Sequence, residues 1–214
     1  MDSLEFERNS MVEKQIQARG IKDPFVLEAL KKVPRHEFVP PDFITAAYED
    51  TPLPIEHGQT ISQPYIVALM TEAAQITPTD TVLEIGTGSG YAASIISQIA
   101  KQVYSIERIE PLGKKAIGCI QKLGYQNIEV KIGDGTLGWP EKGPFDVIIV
   151  TAGAPVVPSS LTAQLKEGGR LLIPVGDAIM QHLLRIRKKN GRLNQEILEA
   201  VRFVPLIGKQ GWQV

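Results

Sequence analysis

Thiol chemistry is nearly missing from this chain: among its 214 residues Cys119 is the single cysteine. One thiol can form neither an internal disulfide nor a cysteine-based metal cluster, so no covalent staple and no metal site is expected. Net charge is nearly missing as well, with 23 Lys and Arg against 24 Asp and Glu, a balance of −1. No field of one sign is then available to attract a nucleic acid or an anionic membrane surface. No apolar run approaches the ~18 residues that mark a membrane span. Met1-Asp2-Ser3-Leu4-Glu5 also lacks the basic and apolar regions of a signal peptide. These absences point to a cytoplasmic globular protein. At this length about 70% of the unfolded surface is buried on folding, enough for a core without staples.

What the chain does have is 19 glycines and 15 prolines, scattered rather than repeated, and two regions of different texture. Residues 1–78 read as a helical and loop-rich extension. Asp2 to Arg19 carries Leu4, Phe6, Met11, Val12 and Ile16 at rough helical spacing and closes at Gly20. Asp23-Pro24 opens a second helix through Leu30, and five prolines from Phe38 to Pro64, Pro64 included, mark a crossing segment. Residues 79–214 read as a core of strands alternating with helices. Strands are expected at 81–85, 103–107, 128–132, 145–150 and 170–174, with helices at 90–100, 111–123 and 159–165. Such alternation demands right-handed crossovers and a doubly wound, mostly parallel α/β sheet. Strands at 182–187 and 198–204 flank Asn190-Gly191, a hairpin signal, so the sheet should end in antiparallel strands. The extension should pack on the core as one compact unit.

The chemistry concentrates at strand ends. Glu84-Ile85-Gly86-Thr87-Gly88-Ser89-Gly90 lies between the first core strand and its helix. Gly86, Gly88 and Gly90 there allow a tight turn and close approach of a ligand to the backbone. A dinucleotide fingerprint wants Gly or Ala where Tyr91 stands, which disfavours a nicotinamide oxidoreductase. Glu107, ending the second strand, can accept ribose hydroxyls from either cofactor class. Asp134-Gly135 could meet an adenine edge, or be a plain turn. Glu84 separates the cofactors: a carboxylate ahead of the glycines repels a pyrophosphate and suits an ammonium or sulfonium group. S-adenosyl-L-methionine carries both and no phosphate, so the residues lean toward methyl transfer. An Asn/Asp-Pro-Pro-aromatic motif for nucleobase nitrogen is absent after the fourth strand. The basic cluster of Arg185, Arg187, Lys188, Lys189 and Arg192 reads as a solvated hairpin. His36 and His182 read as packing or surface residues, and Trp212 as a tail anchor.

Gly58-Gln59-Thr60-Ile61-Ser62-Gln63-Pro64 is richer in hydrogen-bonding groups than a helix start needs, although Ser62 could serve as an N-cap before Pro64. Followed by Val67-Ala68-Leu69-Met70, this segment resembles the signature of protein-L-isoaspartate O-methyltransferases. The likeness spans nearly the whole chain: Val33-Pro34-Arg35-His36-Glu37-Phe38-Val39-Pro40, Leu83 to Tyr91, and Arg202-Phe203-Val204-Pro205-Leu206 are similar to further segments of that family. Around Tyr65 to Val67 the chain resembles prokaryotic members, since eukaryotic ones carry a histidine there. The resemblance implies a Rossmann-like methyltransferase fold. It also implies methyl esterification, by S-adenosyl-L-methionine, of the free carboxylate of L-isoaspartyl and D-aspartyl residues in damaged proteins, which starts their repair. It assigns Ser62 as catalytic, and Gln59, Thr60, Ile61, Ser62, Glu84, Gly86, Gly88, Gly90, Glu107, Asp134 and Gly135 to the cofactor. The expected partners are damaged proteins and peptides, with no nucleic acid and no membrane, met by a monomer. The segments around Phe38–Gly58 and Pro205 are candidate walls of the peptide cleft. A binding module of the same fold without activity would lack Ser62 or the acids, and all are present. Ser62 should orient a carboxylate rather than attack, because His57 nearby has no third member to complete a hydrolase triad and no Gly-x-Ser-x-Gly elbow exists.

Overall fold

The computed structural model describes residues 3–213. The first helix, α1 (Ser3–Met11), does not continue unbroken to Arg19; Asp2, its expected first residue, lies outside the described residues. A π turn over Val12–Ile16 and a 3-10 turn over Gln17–Arg19 follow instead. Met11, Val12 and Ile16 are all fully buried. Met11 and Ile16 are five residues apart, and the wider turn brings both to the core. The second helix, α2 (Pro24–Lys32), starts as expected: the Asp23 carboxylate accepts from Phe25 N–H at 2.8 Å and Val26 N–H at 3.3 Å, with Pro24 in the first turn. Val26, Ala29 and Leu30 form its buried face. The crossing segment is short 3-10 turns plus a two-stranded ribbon, β1 (Leu53–Pro54) against β2 (Thr60–Ile61). It leads into α3 (Pro64–Ala74).

From there strands and helices alternate: β3 (Thr81–Ile85), α4 (Tyr91–Ser97), β4 (Gln102–Glu107), α5 (Glu110–Lys122), β5 (Ile128–Ile132), β6 (Phe145–Val150), α6 (Ser159–Ala163), β7 (Leu165–Gly176), β8 (Gln181–Lys189) and β9 (Arg192–Val201). They build a seven-stranded sheet of order β5-β4-β3-β6-β7-β8-β9. Pairings from β5 to β7 are parallel, and those of β8 are antiparallel. The sheet reverses its winding between β3 and β6, which is where doubly wound sheets bind ligands.

Several expected boundaries move, and the helix at 159–165 ends at Ala163 because Leu165 already opens β7. The helix at 90–100 shrinks to α4 because Gly90 is its N-cap and the chain turns after Ser97. The strand expected at 170–174 extends over the whole of β7. The last strand runs 192–201 rather than 198–204, leaving only Asn190 and Gly191 as its turn. β9 is the sheet edge and almost wholly exposed, so it lacks the apolar alternation that announces a half-buried strand.

Alternation along β3 divides the core in two. Val82, with Val103, Val147, Ile149 and Leu172, packs against α2, α3, α4 and the N-terminal segment. Leu83 and Ile85, with Ile106, Ile148 and Val150, pack against Phe145, Trp139, Leu161 and Leu206. Arg170 of β7 ties α3 to the sheet. It donates to the carbonyls of Ala74, at 2.8 Å, and Gln75, and pairs with Asp80 at 2.8 Å, both side chains being nearly buried. Arg170→Met should therefore strand the Asp80 carboxylate and lower stability by about 3 kcal/mol, read as a reduced urea midpoint with an unchanged slope.

Candidate active site

An open cleft lies at the carboxyl ends of β3, β4 and β6. Its floor is the glycine turn, from Ile85 through Ser89. Gly86 has φ 97° and Gly88 φ 55°, the left-handed region that favours glycine. A Cβ on Gly86 would stand 2.5 Å from Thr151 Oγ1, a hydroxyl that donates to the carbonyls of Gly86 at 2.7 Å and Ile85 at 3.0 Å. The end of β6 thus fastens the turn that follows β3. Gly90 has another task, since a Cβ there would press on Ile120 of α5 at 3.2 Å. It lets two helices meet and does not line the cleft.

Glu107 lies on the wall and is only 6% exposed. One carboxylate oxygen accepts from Gly88 N–H at 2.8 Å and the other from Ile109 N–H at 2.9 Å. A carboxylate has about four acceptor sites, so two remain for a ligand diol. Glu84 stands behind the wall with no exposure. Ser105 Oγ donates to its Oε2 at 2.5 Å and lies 2.6 Å from Thr87 Oγ1, and Thr87 does line the cleft. The other oxygen, Oε1, has no partner. Burial pushes the Glu84 carboxyl up to about 8, against the Ser105 hydrogen bond and with help from the charge of Glu107.

The opposite wall is the segment Gln59, Thr60, Ile61 and Ser62. Ser62 is not the cap of α3. Gln63 holds that position without a side-chain bond, and Asp50 accepts from Tyr65 N–H at 2.8 Å and from Gln63 Nε2 at 2.8 Å. A carboxylate from the crossing segment thus performs the capping, and the Ser62 hydroxyl has no hydrogen-bond partner among the described residues. Its backbone is fixed by Arg35, which is fully buried. Arg35 donates to the carbonyls of Ser62 at 2.8 Å, Ala47 at 2.9 Å and Thr51 at 3.3 Å. Its guanidinium lies 5.0 Å from the ring centre of Tyr91, which also borders the cleft. Burial lowers the Arg35 pKa to about 10, so it remains charged at neutral pH.

Asp134 does not reach the cleft. Its carboxylate accepts from Thr136 N–H at 2.9 Å, Thr136 Oγ1 at 2.6 Å and Lys209 N–H at 2.8 Å. Burial works against these bonds, yet together they hold its carboxyl below the usual range. Gly135 does line the cleft, so close under Ile85 that no side chain fits there. The tail from Val204 to Ile207 forms the rim and is anchored by Trp212, whose Nε1 donates to Gly153 O at 3.0 Å. Of the proposed peptide walls, the one around Pro205 borders this cleft. Phe38, Val39, Ile55 and Glu56 border a neighbouring groove instead. Arg35, Asp50 and Thr151 escaped sequence reasoning. Arg35 sits inside a segment quoted for its family resemblance, and nothing local announces that its target is Ser62.

A sequence model of the protein-L-isoaspartate(D-aspartate) O-methyltransferase family matches residues 6–211. A protein-L-isoaspartate O-methyltransferase of Trichlorobacter lovleyi is 56% identical over 100% of this chain and 99% of its own. One from Protochlamydia amoebophila is 57% identical over 95% of this chain and 98% of its own. A solved protein-L-isoaspartate O-methyltransferase superposes with a TM-score of 0.87 at 32% identity, covering 95% of this chain and 67% of the other. A Plasmodium falciparum structure described under the same activity, in complex with S-adenosyl-L-homocysteine, gives 0.82 at 29% identity over 94% and 98%.

The buried Glu84 carboxyl makes a pH prediction. Its ordinary value of 4.5 in the unfolded chain rises to about 8 on folding, so between those values the folded state holds a proton that the unfolded state has lost. That contribution to stability is fully present below 4.5 and fades as pH climbs to about 8. The unfolding free energy of the native protein should accordingly fall relative to that of Glu84→Gln across this window, measured by urea unfolding at a series of pH values.

Proposed function

The chain belongs to the protein-L-isoaspartate(D-aspartate) O-methyltransferase family, and from that premise we infer which of its residues carry the reaction. The enzyme methylates the free carboxylate of isoaspartyl residues in proteins and depends on S-adenosyl-L-methionine. The residues present fit that cofactor. A glycine turn that a Cβ would obstruct, a wall carboxylate with two free acceptor sites, and a buried carboxyl oxygen without a partner suit a nucleoside joined to a cationic amino-acid end.

When bound, S-adenosyl-L-methionine supplies a methyl carbon activated by its sulfonium. Glu107 accepts ribose hydroxyls while keeping the glycine turn in place. Gly86, Gly88 and Gly135 leave room for the ligand. Gln59, Thr60 and Ile61 close the side facing the turn. Glu84 acts through Ser105 and Thr87, whose hydroxyls connect its charge state to the cleft wall. An isoaspartyl carboxylate has a pKa of about 4 and is ionised at neutral pH, so no base has to be furnished. The protein's task is alignment, for which positioning supplies about 7–11 kcal/mol. Ser62 donates its hydroxyl to one carboxylate oxygen, and Arg35 and Asp50 hold Ser62 still. The observation that carries this assignment is Ser62 itself, which lines the cleft on an anchored backbone while its hydroxyl has no hydrogen-bond partner among the described residues.

On this reading residues 1–78 are an extension that carries Ser62 to the cofactor core of 79–214. The enzyme works as a monomer in the cytoplasm, on proteins rather than on nucleic acid or membrane. Charge balance supports that, because a strong field of either sign would bias access among protein substrates. Among the described residues no helix is long and apolar enough to cross a membrane.

Ser62→Ala should lower single-turnover methylation of an isoaspartyl peptide by about 100-fold. Calorimetry should find its cofactor affinity unchanged. An unaltered turnover rate removes Ser62 from the reaction. Glu107→Ala should do the reverse, weakening cofactor binding by at least about tenfold through loss of charged hydrogen bonds.

A further inference from the structure

Asparagine or aspartate precedes glycine at two places in the chain, Asp134-Gly135 and Asn190-Gly191. A glycine nitrogen is unshielded by a Cβ, and this makes it the backbone nucleophile best able to attack the preceding side-chain carbonyl. The two pairs are held very differently. Asp134 is locked by three hydrogen bonds and Gly135 is buried. Asn190 and Gly191 are exposed and form the turn between β8 and β9, with φ 53° and 69°. The Asn190 side chain has no hydrogen-bond partner among the described residues. Among the described residues Glu167 is the one side chain that restrains the turn by hydrogen bonds: one carboxylate oxygen accepts from Asn190 N–H and the other from Gly191 N–H at 3.1 Å.

We propose that Asn190-Gly191 is a deamidation site through which one copy of this enzyme becomes a substrate for another, with Glu167 as the clamp that slows its formation. The nitrogen of Gly191 attacks Cγ of Asn190. A new carbon–nitrogen bond forms, and the side-chain nitrogen leaves as ammonia, taking up the proton released from the backbone. Water then opens the five-membered imide. Opening at the former backbone carbonyl yields an isoaspartyl residue with a free carboxylate; opening at the other carbonyl yields aspartate. The isoaspartyl carboxylate is the acceptor of the reaction this family performs: its oxygen bonds to the methyl carbon as the methyl–sulfur bond breaks and the electron pair stays on sulfur. Glu167 opposes the first step twice. It keeps the Gly191 N–H in a hydrogen bond, and its negative charge disfavours the amide anion that the attack requires.

The topology makes the methylation intermolecular. β7 ends at the cleft side of the sheet, at Gly176, while Glu167 lies near its start. β8 runs back along β7, so Asn190 lies at the edge of the sheet remote from the cleft. Nine residues of strand at about 3.3 Å each separate the two edges by about 30 Å. A molecule therefore cannot bring its own Asn190 into its own cleft, and a second copy has to present it.

The inference rests on the isoaspartyl activity, and its test monitors that activity separately. Purified protein is aged in warm, mildly alkaline buffer without cofactor, then given S-adenosyl-L-methionine carrying a labelled methyl group, and the label is located by peptide mass spectrometry. Label is expected on the peptide containing residue 190 and not on the one containing Asp134-Gly135. The initial labelling rate of dilute protein should rise with the square of its concentration. Asn190→Gly keeps a residue suited to the turn and should remain unlabelled there. Glu167→Ala should gather label several-fold faster for the same ageing. All three proteins should methylate a synthetic isoaspartyl peptide equally. Aged protein that methylates the peptide yet carries no label at residue 190 overturns the proposal, as does labelling proportional to concentration. Unchanged labelling in Glu167→Ala overturns the clamp. Failure on the synthetic peptide would overturn the activity itself and this inference with it.

Discussion

A buried guanidinium fixes the crossing segment that carries Ser62. Arg35 has no exposed surface, and among the described residues no carboxylate lies within ion-pair distance of it. Its charge is satisfied by three carbonyls from separate points of the crossing segment and by the face of Tyr91. Leaving such a group unpaired is expensive, so the turns that surround it are bound to one geometry. One of those carbonyls belongs to Ser62. The crossing segment has almost no regular secondary structure, yet the backbone of its serine is held by a bond from a buried side chain. Asp50 completes the arrangement by capping α3 and holding Gln63, the residue beside Ser62.

The cofactor side is organised by carboxylates of unequal burial. Glu107 reaches the cleft and divides its acceptor capacity between the glycine turn and the space in front of it. Glu84 is withdrawn behind Thr87 with one oxygen unsatisfied. The two repel each other, which is one reason that Glu84 holds its proton at neutral pH. Ser105 and Thr87 form a line of hydroxyls from the buried Glu84 carboxyl to the cleft wall. Reactions that need only alignment suit such a site, because the fixed dipoles and hydroxyls act without moving a proton to or from the substrate.

Much of this was legible from local pattern. Strand β3, its glycine turn and Glu107 announce themselves through spacing, because a tight turn after a buried strand has few sequence solutions. Asp23-Pro24 likewise announces α2, since both capping partners lie within three residues. Legibility fails where the partner is remote. Ser62 reads as a helix cap until the structure brings Asp50 to that helix from 13 residues upstream. Asp134 reads as a ligand contact until Lys209, from the far end of the chain, takes up its second oxygen. β9 is shifted in the sequence reading because an edge strand exposed on both faces has no apolar period to detect.

The sequence by itself determined the doubly wound α/β class, the position of the cofactor turn, and the family resemblance carried by Gln59 to Pro64. These are properties of short windows, where turn sterics and burial period leave a direct imprint on residue choice. The tertiary structure alone decided that Arg35 fixes the Ser62 backbone, that Glu84 lies buried behind the cleft wall, that Gly90 serves helix packing, and that Asn190 lies at the opposite edge of the sheet from the cleft. Each of those depends on residues distant in sequence meeting in space, and only a folded sheet with its crossovers in place defines which of them meet.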